Sequence, residues 1–460
     1  MEFSTEFDIN VTNFKKRLNF ERSFDVNIKE YVINEKRIMV VFLGGLNASG
    51  SVIDVVSAML HSKIEEVTID SLMNVISNQQ TTIETDANKF ADMILSGVIG
   101  ILVEDSDKGI LLDMRSFPGR QPQEPDNEKV VRGSRDGFVE NIALNVALVR
   151  RRIKTGLLIN EIHQVGSESK TDVVISYMDG IADENIVKNI RDKIDTIKTK
   201  ELTMCDKALD ELLVKKPFNP YPLVRYTERP DVVATHLYQG QVAIFVDNSP
   251  SVILAPTTFF EHLQHVEEYR QTPVVGTFLR FVRVFGIMLS LFLIPAWMVL
   301  INKPEMVPDF LQFLLPDDIG GIPLLMQILM AEIGIEFLRL AAIHTPNAIS
   351  SAMGVIAGLL VGEIAIKVGL FVPDVVLYVA VSQMGSYVTP SYELALANKI
   401  SKLFFIVAAY FFGLYGLIFT VLLWLIYLCS LKSFGKHYFS PLFPLNIRRL
   451  IRCIIRFPKK

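Results

Sequence analysis

Apolar positions change character once along this chain. Up to about residue 275 they come in runs of six to eight residues broken by dense charge, and beyond it several runs approach or exceed twenty. The first regime is that of half-buried strands and amphipathic helices, the second that of helices long enough to cross a bilayer. The pattern predicts an α/β region of two subdomains followed by an all-α polytopic membrane domain. The expected boundaries are a polar leader over 1–36, subdomains over 37–130 and 131–275, a helical transmembrane domain over 276–430 and a basic tail over 431–460.

Within the first region, Ile38 to Leu43 reads as a strand, followed by a glycine-rich turn from Gly44 to Gly50 and a helix near Val52 to Leu60. The turn has no Gly-Lys-Ser/Thr ending and no three-glycine dinucleotide fingerprint, so it is read as an ordinary β–α turn. A helix covers Phe90 to Leu95, and Val98 to Val103 with Gly109 to Met114 form a hairpin. A helix follows over Phe138 to Arg152, then strands at Leu157 to Ile162 and Asp172 to Tyr177, a helix over Asp183 to Ile197, and strands at Val242 to Val246 and Val252 to Leu254.

The second region offers spans at Phe278 to Ile301, Gly321 to Ile343, Asn347 to Phe371 and Ser401 to Cys429, with a short apolar stretch at Pro373 to Val388. Four or five crossings result, depending on whether the short stretch passes through. The basic tail favours an even count, or a second crossing within the last segment.

Charges inside two of these helices are the candidate chemistry. Glu332, Glu336 and Arg339 fall on one helix face, and Glu363 and Lys367 follow the glycine ladder Gly354, Gly358 and Gly362, a small-residue spacing suited to helix packing. Each ionised group costs about 2.5–3.5 kcal/mol at mid-bilayer, so five unpaired ones facing lipid would cost on the order of 15 kcal/mol. They must face protein or water. Glu336 can pair with Arg339 and Glu363 with Lys367, which leaves Glu332 over. Three Glu against one Lys and one Arg make a lining that favours cations. The bland alternative is static ion pairing between helices.

Composition changes this picture in few places. The net charge of −4 hides a tail, from Leu431 to Lys460, with eight Lys or Arg and no Asp or Glu, which suits the cytoplasmic face and anionic lipid. The first twenty residues lack the apolar core of a signal peptide, so the soluble region is expected to stay in the cytoplasm. Cys205, Cys429 and Cys453 are far apart and suggest neither disulfides nor a metal site, and no cofactor is expected. Arg150, Arg151 and Arg152 complement a helix C-terminus, and without an aromatic platform they give no nucleic-acid site. His61, His163, His236 and His262 are scattered, and no catalytic constellation is present, so no enzymatic activity is expected. The loop Arg132, Gly133, Ser134, Arg135, Asp136, Gly137 is read as a subunit or ligand contact, or else as a solvated linker capping the next helix.

Longer strings carry a resemblance. Gly119 to Lys154 reads GRQPQEPDNEKVVRGSRDGFVENIALNVALVRRRIK, and the second region holds NKPEMVP from Asn302, PSYELALANK from Pro390 and FGLYG from Phe412. In these the chain resembles the GerA family of spore germination proteins over nearly its whole length. Ser134 stands where receptor A subunits of that family usually have proline, and Thr389 precedes Pro390, which sets this chain apart from the nutrient-sensing members. The resemblance implies a two-lobed cytoplasmic domain on a multi-pass membrane domain in the inner membrane of the spore. It also implies a homo-oligomeric ring that conducts ions at germination, with other spore membrane proteins as partners. The expected function is an oligomeric cation channel with Glu332 facing the lumen; a coupled transporter and a non-conducting scaffold or receptor subunit are the alternatives.

Overall fold

Side-chain alternation along one strand sets up the first lobe. In the computed structural model, which describes residues 2–47, 49–62, 64, 66–76, 80–116, 134–316, 319–344 and 362–457, the strand β2 (Lys36–Leu43) buries both of its faces. Met39, Val41 and Leu43 enter one core and Ile38 and Val40 another, as the period of two requires. Helices α1 (Phe7–Arg17) and α4 (Ala87–Leu95) cover the first face through Phe7, Phe14, Phe90 and Ile94. Helices α2 (Ser49–Leu60) and α3 (Ile69–Val75) cover the second through Val55, Met59 and Leu72. With β1 (Val26–Ile33), β3 (Thr81–Glu84), β4 (Ile99–Val103) and β5 (Gly109–Leu112) the sheet runs β1-β2-β4-β5-β3, antiparallel at every pairing.

Residues 7–17 and 26–33, expected within a polar leader, are instead part of the folded lobe. Phe7, Val11 and Phe14 recur at helical spacing and sit inside the core, and Val26 to Ile33 pairs along the whole of β2. Few large apolar residues in a polar stretch suffice when each lands on the same helix face.

The second lobe repeats the topology with α5 (Ile142–Arg150), β6 (Leu158–Val165), β7 (Thr171–Met178), α6 (Glu184–Asp195), α7 (Cys205–Val214), β8 (Arg225–Thr227), α8 (Pro230–Tyr238), β9 (Val242–Val246) and β10 (Val252–Ala255). Its sheet order is β6-β7-β9-β10-β8, again antiparallel. Asp183 caps α6 by accepting from the Asn185 N–H at 2.9 Å, and α6 and α7 press Val187, Ile190, Leu209 and Leu213 onto the sheet. The lobes are joined by buried polar groups: Asp25 accepts from Arg150 Nε at 2.7 Å and from Asn160 Nδ2 at 3.0 Å. Both lobes lie in one compact unit, Met1–Pro217, Leu223–Thr257 and Ser433–Gly435.

The second unit comprises Phe218–Pro222, Thr258–Lys432 and Lys436–Lys460, so the helical part takes over at Thr258. Short helices α9 (Phe259–His262) and α10 (Val266–Arg270) lead into α11 (Pro273–Asn302), α12 (Leu324–His344), α13 (Pro373–Tyr387), α14 (Tyr392–Ser430) and α15 (Ile447–Ile454). Helices α11 to α14 share a core that includes Ile294, Trp297, Ile328, Val375, Val379 and Ile406. Only α11 and α14 are long and apolar enough to cross a membrane, among the described residues.

The 39 residues of α14 are not one rod. Gly413 breaks the helix with φ 59 and ψ −143, a conformation that glycine adopts without a side-chain clash. Ser401 and Trp424 would lie about 35 Å apart in a straight helix. Both instead meet the Tyr221 hydroxyl, Ser401 Oγ at 2.8 Å and Trp424 Nε1 at 2.6 Å. Phe405 and Trp424 likewise stack edge to face at 5.8 Å. The last apolar segment is a helical hairpin of two arms, 392–412 and 414–430.

Where α11 crosses α13 the backbones meet at Gly286 and Gly385, and a Cβ on Gly385 would fall inside the Gly286 carbonyl oxygen. Gly385→Leu is expected to separate these helices and lower bundle stability by about 1–3 kcal/mol or more. Thermal unfolding of the full chain in detergent checks this, and an unchanged melting point would contradict the crossing.

Candidate functional site

Ionisable groups collect at the centre of the helical unit. Helix α12 supplies Glu332, Glu336 and Arg339 from successive turns, and the first arm of α14 supplies Lys399 and Lys402. Lys402 Nζ donates to Glu332 Oε1 at 2.6 Å, with only 2% and 1% of the two side chains exposed. Lys399 Nζ lies 3.3 Å from Glu332 Oε2 and also donates to Glu336 Oε1. Glu336 Oε2 accepts from Arg339 at 2.5 Å, and the Arg339 guanidinium sits 5.1 Å from the centre of the Tyr392 ring. The result is a chain of alternating charge, Lys402–Glu332–Lys399–Glu336–Arg339.

Helix α13 completes the surroundings. Ser382 Oγ accepts from Lys402 Nζ at 3.2 Å and donates to the Ser290 carbonyl at 3.1 Å, while Gln383 Oε1 lies 3.5 Å from Lys399 Nζ. Nearby, the fully buried Gln327 donates to the carbonyls of Ile319 and Ile322 and accepts from the Val372 N–H, each at 2.8 Å.

Glu332 is thus not the unpaired carboxylate expected from the sequence. The run Ser401 to Cys429 reads as purely apolar when its lone Lys402 is passed over, and Lys399 lies just before it. Both come from a helix distant in sequence, where spacing rules for one helix do not reach. Two carboxylates against three cations also remove the basis for a net-negative lining.

Glu363 and Lys367 do pair, at 2.6 Å, but both are more than 60% exposed and neither joins the buried cluster. Gly354 and Gly358 lie outside the described residues. For Gly362, nothing among the described residues comes within 4 Å of where a Cβ would stand.

In the first unit, Arg132 and Gly133 are outside the described residues. Asp136 accepts from Arg152 at 2.8 Å, and the Ser134 carbonyl accepts from the fully buried Arg229 at 3.0 Å. Gly137 is buried and Arg135 exposed. This part of the loop is tied to its own lobe through Arg152 and Arg229, one of which belonged to the basic run read only as a helix end.

A separate cluster on β6 joins Glu161, His163, Tyr177, Arg191 and Asp195. Burial pushes the Glu161 carboxyl up, but His163, Arg191 and Tyr177 outweigh it and hold it at about 2. His163 is raised by Glu161 and by Asp195, whose Oδ1 lies 2.8 Å from Nδ1. The depressed Glu161 contributes stability above its ordinary 4.5 that is lost as pH falls toward 2. The raised His163 contributes below its ordinary 6.5 and is lost as pH rises through its higher folded value. Stability from this cluster is expected to be greatest between 4.5 and 6.5. His163→Gln should flatten the decline above that window in thermal melts recorded across pH, and an unchanged profile would remove His163 from the account.

The model of the Bacillus/Clostridium GerA spore germination protein family matches residues 12–460. The stage V sporulation protein AF of Bacillus subtilis (strain 168) is 45% identical over 452 residues, covering 97% of this chain and 91% of its own. Spore germination protein KA of the same organism is 29% identical over 98% of this chain and 84% of its own. Among solved structures, the N-terminal domain of the A subunit of the Bacillus megaterium spore germinant receptor GerK3 is 25% identical. It aligns with 56% of this chain and 98% of its own length at a TM-score of 0.42.

Proposed function

The chain belongs to the GerA family of spore germination proteins, and from that premise we propose that it is a multi-pass protein of the spore inner membrane whose homo-oligomer conducts ions during germination. The observation that carries the reading is the inverted polarity of the helical unit. Glu332, Lys399 and Lys402 sit inside, whereas Phe278, Phe281 and Phe285 on α11 and Phe404, Phe411, Phe412, Tyr415 and Phe419 on α14 are more than half exposed. Soluble proteins rarely leave so large an apolar surface in water, and a bilayer covers it without cost. With α14 folded back on itself, the hairpin can place two crossings where one was expected. That favours the even count called for by a basic tail on the cytoplasmic side together with the soluble unit.

In this reading the cluster from Lys402 to Arg339 is the charged element along the ion route, held shut by its own pairing, with Glu363 and Lys367 as further wall residues. Its charge balance gives no preference for cations. Gly354, Gly358 and Gly362 would pack helices, and the loop from Arg132 to Gly137 would be a subunit or ligand contact.

The test is ion flux from liposomes holding the full-length protein, compared with the double variant Glu332→Gln with Lys402→Met at matched oligomer content. The double change removes both charges together, so the fold is kept. Flux altered about tenfold or more supports a gating pair. Equal flux assigns the pair to packing, and no flux from either intact oligomer favours a scaffold that recruits partners.

A further inference from the structure

Helix α15 separates its residue types into two arcs. Ile447, Ile451 and Ile454 recur at the spacing of one face and are 62%, 42% and 39% exposed. Arg448, Arg449 and Arg452 fill the opposite arc and are exposed too. Leu445 before the helix and Ile455 and Phe457 after it extend the apolar side, at 64%, 41% and 56% exposure. No residue of α15 is buried.

A helix so exposed and so short would fray if left to itself. It is instead fastened to the start of α11. Arg280 Nη1 donates to the carbonyls of Arg452 and Cys453, each at 2.9 Å, satisfying acceptors at the open end of the helix. The Arg456 N–H donates to Thr277 Oγ1 at 3.1 Å, and its guanidinium reaches the Tyr269 carbonyl at 2.6 Å and the Gln271 carbonyl. Arg280 is itself held by the buried Glu268 at 2.8 Å. The clamp fixes α15 beside the first turns of a membrane-capable helix, where Val274, Val275 and Phe278 are also exposed.

We infer that α15 is an interfacial anchor, its isoleucine face entering an anionic lipid leaflet and its arginines meeting the phosphate headgroups. The choice of lipid over a protein partner rests on charge and position. From Leu431 to Lys460 there are eight basic residues and no acidic one. The helix is fastened beside the first turns of α11, whose Val274, Val275 and Phe278 are exposed as well. Basic amphipathic helices with apolar faces of this kind lie in the headgroup region, and their binding scales with buried apolar area plus attraction to anionic lipid. The inference rests on the membrane reading above and adds to it a lipid-dependent contact for the chain's last helix.

The test uses the full-length protein, with Cys205, Cys429 and Cys453 changed to Ser, in lipid nanodiscs of phosphatidylcholine alone or with phosphatidylglycerol. A nitroxide is attached at Ile451→Cys or, separately, at Phe285→Cys, and its accessibility to oxygen and to a water-soluble nickel complex is read by electron paramagnetic resonance. The expected result is lipid exposure at 285 in both discs and at 451 in the anionic ones. Adding Arg448→Gln, Arg449→Gln and Arg452→Gln should cut the lipid-bound population at 451 on the order of 100-fold. Water exposure at 451 in both discs, or exclusion of both reagents whatever the lipid, overturns the anchor and in the second case assigns the face to a protein contact. Water exposure at 285 would instead overturn the membrane reading itself.

Discussion

Glu332→Gln is expected to destabilise the helical unit by about 3–5 kcal/mol, the range for removing one partner of a buried ion pair. The geometry also orders the variants. With Gln at 332 the Lys402 ammonium, 2% exposed, keeps an amide oxygen and the Ser382 hydroxyl at 3.2 Å, but no carboxylate within hydrogen-bond reach among the described residues. Without Lys402, in contrast, Glu332 retains Lys399 at 3.3 Å. Lys402→Met should therefore cost less than Glu332→Gln, and the double variant should recover most of the loss, because the burial of two charges is then no longer needed. Unfolding of the detergent-solubilised protein by a denaturing-detergent titration measures all three. If Lys402→Met proves the more damaging single change, or the double variant equals the sum of the singles, the pairing described here is wrong.

That ordering could not have been drawn from the sequence, and the reason is geometric. Pairing within one helix follows from spacing, so Glu336 with Arg339 and Glu363 with Lys367 were legible before any fold was known. Pairing between helices depends on which faces meet. Lys402 lies one helix away from Glu332 in space and 70 residues away along the chain. The same limit hid the hairpin. Gly413 was visible as a residue, but an apolar run records length and not the backbone angles at its middle, so two arms read as one span.

The two α/β lobes show the complementary case. Strand positions at 38–43, 98–103, 109–114 and 242–246 were readable because short apolar runs rich in Ile, Leu and Val mark strands buried on both faces. Alternating strands and helices pointed to an α/β region without saying which strands pair, and every pairing is antiparallel. Periodicity gives the class of an element but not its neighbour. The amino-terminal helix was passed over because its apolar residues, Phe7, Val11 and Phe14, are outnumbered by polar ones and matter only through the core they enter.

Breaking the joint between these lobes is the second large expected effect. Asp25 precedes β1 in one lobe and Arg150 closes α5 in the other, with 4% and 1% of their side chains exposed. Asp25 also accepts from Asn160 Nδ2 at 3.0 Å, and Arg150 also donates to the carbonyls of Thr155 and Leu158, each at 3.0 Å. Arg150→Met takes the charged partner from a buried carboxylate and one donor from each of two carbonyls, whereas Asp25→Asn keeps an oxygen for the guanidinium to meet. Loss of Arg150 is expected to cost about 3–5 kcal/mol, and Asp25→Asn about 1.5–3 kcal/mol, that of one charge-assisted hydrogen bond. Arg150→Lys should not rescue, since one ammonium cannot reproduce the planar fork that serves Asp25 and both carbonyls. Hydrogen exchange of the full chain distinguishes a joint from mere packing. The joint predicts faster exchange at Ser23–Val26 and Leu158–Asn160 together, because Phe24 and Asn160 share a backbone hydrogen bond of 3.1 Å across the same seam. Faster exchange in one lobe with the other unchanged would show that Arg150 serves only the helix it terminates.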